Sequence, residues 1–334
     1  MAKLFIGRKG FIITSSEVSQ MPLDEITVSA PATIANLGPG YDIIGMALDR
    51  PRDILRVALQ RDGMDTIEVK GPGSEALTIP AERNACVVAG RAVLERAGAE
   101  GYRLKMWLDK GVPPRMGMGS SGASSAAGAF AVNALLGYPL DQMQVLRCAM
   151  EGERASCGSA HADNVAPALI GGITAITGYE PLNVIKLPPV EGTAVVEVNP
   201  RIELAEEKTK LAREVLPSSV PLGKVVGQME AFASLLLGIV QKDAALMGRG
   251  ISGDVIIEPA RAKLIKGFND VKRAAIQEGA HGATISGAGP TVFALTPSQI
   301  ADVVGKAMVK AFSANSVKST YAVYQCSQEG TKIV

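Results

Sequence analysis

The run Pro113-Pro114-Arg115-Met116-Gly117-Met118-Gly119-Ser120-Ser121-Gly122-Ala123 carries the strongest chemical signal in the chain. Its glycines let the backbone curl tightly, so that consecutive N–H groups converge on one anion. A helix opening at Ser121 adds unpaired N–H donors and the positive end of its dipole. The two serines supply hydroxyls for a phosphate oxygen or for Mg2+. No lysine follows the last glycine, so this is not a Walker loop. The blander account is a tight helix start capped by serine. A dinucleotide site lacks its context, because no Gly-x-Gly-x-x-Gly with a partner acid follows the first strand.

Two further runs reduce the weight of the blander account. Pro31-Ala32-Thr33-Ile34-Ala35-Asn36-Leu37-Gly38-Pro39-Gly40-Tyr41-Asp42 precedes the loop, and Ser286-Gly287-Ala288-Gly289-Pro290-Thr291 follows it. In that order the three blocks resemble the small-molecule kinases named for galactose, homoserine, mevalonate and phosphomevalonate, the GHMP kinases. The resemblance spans the chain from about residue 25 onward. Arg115 departs from it, standing where the family commonly has glycine; Met116 and Met118 replace small residues or leucine. Glu151-Gly152-Glu153, His161-Ala162-Asp163-Asn164-Val165-Ala166-Pro167-Ala168-Leu169, Thr209-Lys210-Leu211-Ala212-Arg213 and Glu258-Pro259-Ala260-Arg261 resemble the branch whose acceptor is an amino acid, L-homoserine.

The resemblance implies ATP and Mg2+ as cofactors and a place in threonine biosynthesis. ATP falls to the 113–123 run and to Asn84, for which a plain helix N-cap is an equally good account. Ser121 and Glu153 are the implied Mg2+ ligands, a cation that takes hard oxygens and usually keeps several waters. Ser120 is less suited, since adjacent helical residues point in different directions. A zwitterion with a distal hydroxyl calls for particular partners. Its carboxylate suits a guanidinium fork, for which Arg213 and Arg261 are the candidates. Its ammonium needs an acceptor: Asp42, with Asn36 beside it on the same glycine-rich turn. His161 and Asn164 lie three apart, on one face if that stretch is helical, and are placed with the substrate. A surface ion pair is the structural alternative for each arginine, and a satisfied core imidazole for His161. The third block packs near the mouth of the site or is a purely structural hairpin.

Relatives with a catalytic aspartate carry it eleven residues after the metal-binding glutamate; from Glu153 that count lands on Asn164. An amide cannot accept the hydroxyl proton, and neighbouring Asp163 is expected to point elsewhere on a helix. Transfer is therefore expected without a protein base, resting on positioning and charge stabilisation, with Thr209 hydrogen-bonding the attacking hydroxyl. Competing readings are a family kinase for a hydroxy acid such as mevalonate or shikimate, and a non-catalytic nucleotide- or amino-acid-binding member.

Positioning these residues requires a scaffold of mixed elements. Alternation predicts strands at 25–31, 53–60, 65–70, 102–108, 193–198 and 318–325, and strand–turn–strand over 282–295. Helical spacing predicts helices at 84–98, 121–136, 141–158, 205–215, 223–240, 259–277 and 298–313, with two short elements in 165–177 split by Gly171-Gly172. The Gly- and Pro-bearing stretch 178–192 marks a boundary, giving an extension at 1–24, an ATP-binding domain at 25–178 and a second domain at 179–334. Strands and helices mix without strict alternation, which favours α+β. The resemblance implies a ribosomal-protein-S5-like first domain, a ferredoxin-like second domain, the site in the cleft between them, and a homodimer.

A net charge of +1 argues against a general nucleic-acid binder. With only His161 and His281, a histidine-rich metal site is excluded. Cys86, Cys148, Cys157 and Cys326 are widely spaced, as expected of reduced, buried, structural thiols in a cytoplasmic protein. No apolar run is expected to approach the ~20 residues of a membrane-spanning helix. The first twenty residues, broken by Arg8 and Lys9, make a poor secretory signal and a weak organelle-targeting one.

Overall fold

The computed structural model describes residues 25–77, 79–202 and 208–334, with the paired two-residue strands β1 (Phe5–Ile6) and β2 (Ile12–Ile13). Most of the amino-terminal extension lies outside the described residues. The first domain runs β3 (Glu25–Ala35), β4 (Ile44–Gln60), β5 (Thr66–Lys70), α1 (Ala85–Arg96), β6 (Arg103–Asp109), α2 (Ser120–Leu135), α3 (Gln142–Cys157), α4 (Val165–Ile170), β7 (Ile173–Tyr179) and β8 (Leu182–Leu187). The second runs β9 (Thr193–Pro200), α5 (Lys208–Glu214), α6 (Leu222–Gln241), α7 (Ala244–Ser252), α8 (Ile257–Arg261), α9 (Phe268–Gln277), β10 (Gly282–Ile285), β11 (Val292–Pro297), α10 (Ala301–Ala314) and β12 (Ser319–Tyr324). The last strand, β13 (Lys332–Ile333), returns to the edge of the first sheet beside β3.

Strand β4 is longer than the 53–60 segment that alternation picks out, because besides β3 along its length it serves two further partners. Its end at Ile54–Gln60 pairs with β6, and its start at Ile44–Met46 pairs with β7. The β7–β8 hairpin extends this first sheet, so the chain leaves it after Leu187, within the 178–192 stretch. Prolines hid β8 from a periodicity reading. The four-stranded second sheet has the antiparallel order β10-β11-β9-β12, the ferredoxin-like order. The expected 259–277 helix is two, α8 and α9, broken at Gly267 with φ +83. Helix α7 was not expected at all.

Helix α2 is nearly all small residues, and Ala123, Ala126, Ala127, Ala129 and Ala131 are buried. That lets α1 and α3 approach closely and pins the start of α2 to the cleft. One core fills the first domain and continues across the domain boundary through Leu235, Ile239, Val195, Phe293 and Leu295. A second core lies under α9 and α10.

Helix α6 corrects the membrane expectation: by length and composition it could cross a bilayer. It nevertheless buries Ala231, Leu235, Gly238 and Ile239 within the fold, and Lys224, Gln228 and Glu230 interrupt its apolar run. Cys86 and Cys148 are buried and Cys326 half-buried, and all three are free. Burial raises all three thiols, Cys148 to about 11 and Cys326 to about 12, so they stay protonated and inert. The Cys157 side chain lies outside the described residues.

Candidate active site

A cleft of about 570 Å3 opens between the two domains. Of the residues expected there, it is lined by Asn36, Asp42, Asn84, Pro114, Arg115, Gly117, Gly119, Ser120, Ser121, Glu153, His161, Asn164, Arg213 and Arg261. Met118 and Ala123 instead face the first core. Pro113, Met116 and Gly122 support the loop without lining the cleft. The Thr209 side chain lies outside the described residues.

The 113–123 loop is held by close approach. Gly119 has φ +65, and a Cβ there would meet the Thr33 hydroxyl at 1.9 Å and the Asn164 side-chain oxygen at 2.7 Å. Gly117 has φ +85, and its Cβ would strike the carbonyls of Ser286 and Gly289 at 2.6 and 2.9 Å. The third block therefore packs directly on the loop and is more than a distant hairpin. Arg115 adopts φ +63, the left-handed conformation the family's glycine would favour, at a cost of roughly 1–2 kcal/mol. Both serines line the cleft, but the Ser120 hydroxyl is committed to the Val112 carbonyl, to which it donates at 2.9 Å. Asn84 accepts the Cys86 N–H at 3.1 Å as N-cap, and it also lines the cleft.

Sequence reasoning missed a buried ion pair beneath the loop. Lys110 and Asp53 are 1% and 0% exposed and are bonded to each other. Asp53 also accepts the N–H groups of Gly111 and Val112 at 3.1 and 3.0 Å. Lys110 also donates to the Ser120 carbonyl at 3.2 Å. The pair thus ties the entry of the loop to the first residue of α2. Nothing in the sequence pairs Asp53, in β4, with Lys110, just past the end of β6.

At the other end of the cleft, acid and guanidinium stand side by side. Asp42 lies 3.7 Å from Arg213 Nη2 and 3.2 Å from His161 Nδ1. The Asp42 N–H donates to Asn36 Oδ1 at 3.1 Å, and Tyr179 OH donates to the Asp42 carbonyl at 2.7 Å. Arg213 Nε is buried and has no hydrogen-bond partner among the described residues. Arg261 is buried over the Tyr41 ring, 5.1 Å to its centroid. Its Nε and Nη1 donate to the carbonyls of Ala212 and Gly287 at 2.9 and 3.0 Å. It therefore fastens the Arg213 helix to the third block. Burial lowers the His161 pKa, with Asp42 opposing and Arg213 adding to the shift, so the ring is neutral near pH 7.

The expectation for residues 161–164 needs correcting. Residues 158–164 are not helical, and α4 starts only at Val165, so His161 and Asn164 share a cleft without sharing a helix face. Asn164 stands against the loop and accepts the Thr33 hydroxyl at 2.9 Å. Asp163 does not point away: it is buried and lines the cleft. Burial foremost, then Asp42 and Glu153, push its carboxyl up to about 7, against Arg213 and the Asn164 N–H.

Ser121 and Glu153 offer one hydroxyl and one buried carboxylate to the same space. Among the described residues no cluster of three His, Cys, Asp or Glu side chains forms a metal cage. That donor set fits Mg2+ shared with nucleotide phosphates and fits a zinc-type site poorly.

Comparison with known proteins returns two family models: GHMP kinases N terminal domain over residues 84–172, and GHMP kinases C terminal over residues 231–314. The chain is 38% identical to a homoserine kinase of Chlorobaculum tepidum over 92% of this chain and 98% of that one. It is 43% identical to a homoserine kinase of Thermococcus gammatolerans, covering 84% and 91%. The crystal structure of homoserine kinase from Cytophaga hutchinsonii superposes with a TM-score of 0.85 at 39% identity, covering 94% and 99%.

Proposed function

The chain belongs to the homoserine kinases of the GHMP kinase family, and on that premise we propose how its cleft moves the γ-phosphoryl group of ATP onto the side-chain hydroxyl of L-homoserine. The products are O-phospho-L-homoserine and ADP, in threonine biosynthesis. The observation that carries the substrate assignment is Asp42 beside Arg213 in the cleft that also holds Ser121. An α-amino acid carries its two charges on one carbon, so it needs an acid and a guanidinium side by side; mevalonate and shikimate have no ammonium to satisfy Asp42.

In this reading Arg213 takes the substrate carboxylate, its orphaned Nε and an Nη forming the fork. Asp42 takes the ammonium, and Asn36 and neutral His161 orient both. That leaves the hydroxyl end directed toward Asn164 and the start of α2. The loop N–H groups and the α2 dipole hold the phosphates, with Asn84 at the nucleoside end and Arg115 at the mouth. Mg2+, when bound, would be held by Ser121 and Glu153 and would neutralise phosphate charge. Holding both reactants in line supplies much of the catalysis, up to about 7–11 kcal/mol in ideal cases.

Transfer proceeds without a protein base in our account, because the side chain set against Gly119 and Gly122 is the amide of Asn164. One observation favours a second reading. Asp163 is a cleft carboxyl raised to about 7, a value suited to proton transfer at neutral pH. Asp163→Asn separates the two. A kcat within tenfold of the parent supports base-free transfer; loss of kcat with homoserine binding retained, together with loss of a limb rising through pH 7, makes Asp163 the base.

The substrate test is a phosphorylation panel of L-homoserine, mevalonate and shikimate read by mass. O-phosphohomoserine as the dominant product supports the assignment; preferential turnover of a hydroxy acid, or no turnover, contradicts it. We place the enzyme in the cytoplasm, as a homodimer.

A further inference from the structure

Asp42 sits in a turn whose backbone is strained. Asn36, Leu37 and Asp42 have φ of +73, +44 and +60, a left-handed region that residues other than glycine rarely adopt. Such conformations persist only where the surroundings over-determine them. At Asp42 the surroundings act on both polar atoms of its backbone. Its N–H donates to Asn36 Oδ1 at 3.1 Å, and its carbonyl accepts the Tyr179 hydroxyl at 2.7 Å. The Cα–Cβ bond moves with the backbone, so whatever fixes that backbone also aims the carboxylate. Its oxygens lie 3.7 Å from Arg213 Nη2 and 3.2 Å from His161 Nδ1.

Tyr179 is 137 residues away in the chain and is brought there by sheet pairing. The start of β4 pairs with β7, with Ile44 opposite Ala175, and the Ile176 N–H donates to the Ile43 carbonyl at 2.8 Å. A register shift between Ile176 and Gly178 then re-aims the end of β7. The half-buried Tyr179 ring packs on the first core, and Arg147 Nη2 donates to the Tyr179 carbonyl at 3.4 Å. The phenol oxygen has a second contact, accepting the Ala162 N–H at a longer 3.4 Å. A hydroxyl has one proton to give and lone pairs to receive. This one therefore bridges the Asp42 backbone and the irregular segment that carries His161 and Asp163. Burial pushes the phenol up to about 12, with the Ala162 N–H opposing, so it keeps its proton throughout the neutral range.

We propose that Tyr179 is a positioning residue for acceptor specificity: its hydroxyl holds the Asp42 backbone in place, and through Asp42 it sets how well the cleft reads the ammonium group of an amino acid. The inference rests on the reading of Asp42 as the ammonium acceptor. Tyr179 stands behind Asp42 rather than in the cleft wall, so it acts only through that residue. Removing the hydroxyl takes the donor from the Asp42 carbonyl and lets the turn relax from its left-handed conformation, which displaces the carboxylate. Arg213 comes from α5 in the second domain, so recognition of the acceptor's carboxylate stays in place. The loss therefore follows the ammonium group of the acceptor, not its carboxylate and not the nucleotide.

The test is Y179F, which deletes one oxygen and keeps the ring, assayed beside the parent on the full chain. L-Homoserine and 4-hydroxybutyrate, which lacks the ammonium, compete in one reaction, and the two phosphorylated products are read by mass. Both acceptors meet the same folded enzyme, so the ratio of products is unaffected by any loss of stability. In Y179F the preference for homoserine falls about 3- to 10-fold, the worth of one hydrogen bond. KM for homoserine and for 3-aminopropanol, which keeps the ammonium, rises by that factor, while KM for ATP stays within about twofold. An unchanged KM for homoserine overturns the proposal. So does an equal loss for all three acceptors and for ATP, the mark of a merely structural tyrosine. A parent enzyme that phosphorylates 4-hydroxybutyrate as readily as homoserine overturns the Asp42 reading itself, and shows it before any variant is compared.

Discussion

Arg213 is the side chain on which the substrate assignment turns most sharply. It reaches Asp42 at 3.7 Å and retains a buried Nε with no partner among the described residues. A charge-assisted hydrogen bond contributes about 1.5–3 kcal/mol, so Arg213→Met should raise KM for homoserine about 10- to 150-fold and leave KM for ATP within about threefold. Steady-state kinetics with each substrate varied checks this; a rise confined to ATP would move Arg213 to the nucleotide. Arg261 differs, since two of its nitrogens are committed to the carbonyls of Ala212 and Gly287. At this scale the sequence was informative about residue type and silent about conformation. The expectation, drawn from residue type and from the family resemblance, that Asp42, Arg213 and Ser121 share one site agrees with their lining one cleft. Asp163 was misjudged because a helix was assumed through 161–164, where the chain is irregular and turns the carboxyl into the cleft.

Among the elements, the start of α2 is the one whose placement decides phosphate binding, and the buried Lys110–Asp53 pair anchors it. Removing one partner of such a pair typically costs about 3–5 kcal/mol, because the other charge stays buried alone. Asp53→Ala should lose stability of that order in urea unfolding and weaken ATP binding in whatever fraction remains folded. A change below about 1 kcal/mol would show that the loop is held by other contacts. Periodicity located α1, α2, α3 and α10 to within a few residues. It could not see Asp53 meeting Lys110, because the contact arises only when β4 and β6 pair. Strand β8 was lost for a related reason: prolines flank it, and only its pairing with β7 defines it.

For the whole molecule, the interdomain cleft is what unites three sequence blocks that alone are only moderately specific. The fold class was readable through the family resemblance, whereas the return of β13 to the first sheet was not. Helix α6 leaves Leu222, Val226, Met229, Leu237 and Val240 exposed on one side, an apolar face that the proposed dimer would cover. Light scattering is expected to give twice the 34.7 kDa chain mass; a monomeric mass at micromolar concentration would contradict the dimer. The central claim remains that one cleft reads both charges of an amino acid while presenting its hydroxyl to ATP. Its most direct measurement is the relative phosphorylation of L-homoserine, 4-hydroxybutyrate, which lacks the ammonium, and 3-aminopropanol, which lacks the carboxylate. At least about 100-fold preference in kcat/KM for homoserine over each is predicted, near 2.7 kcal/mol; equal turnover of either truncated alcohol would contradict the account.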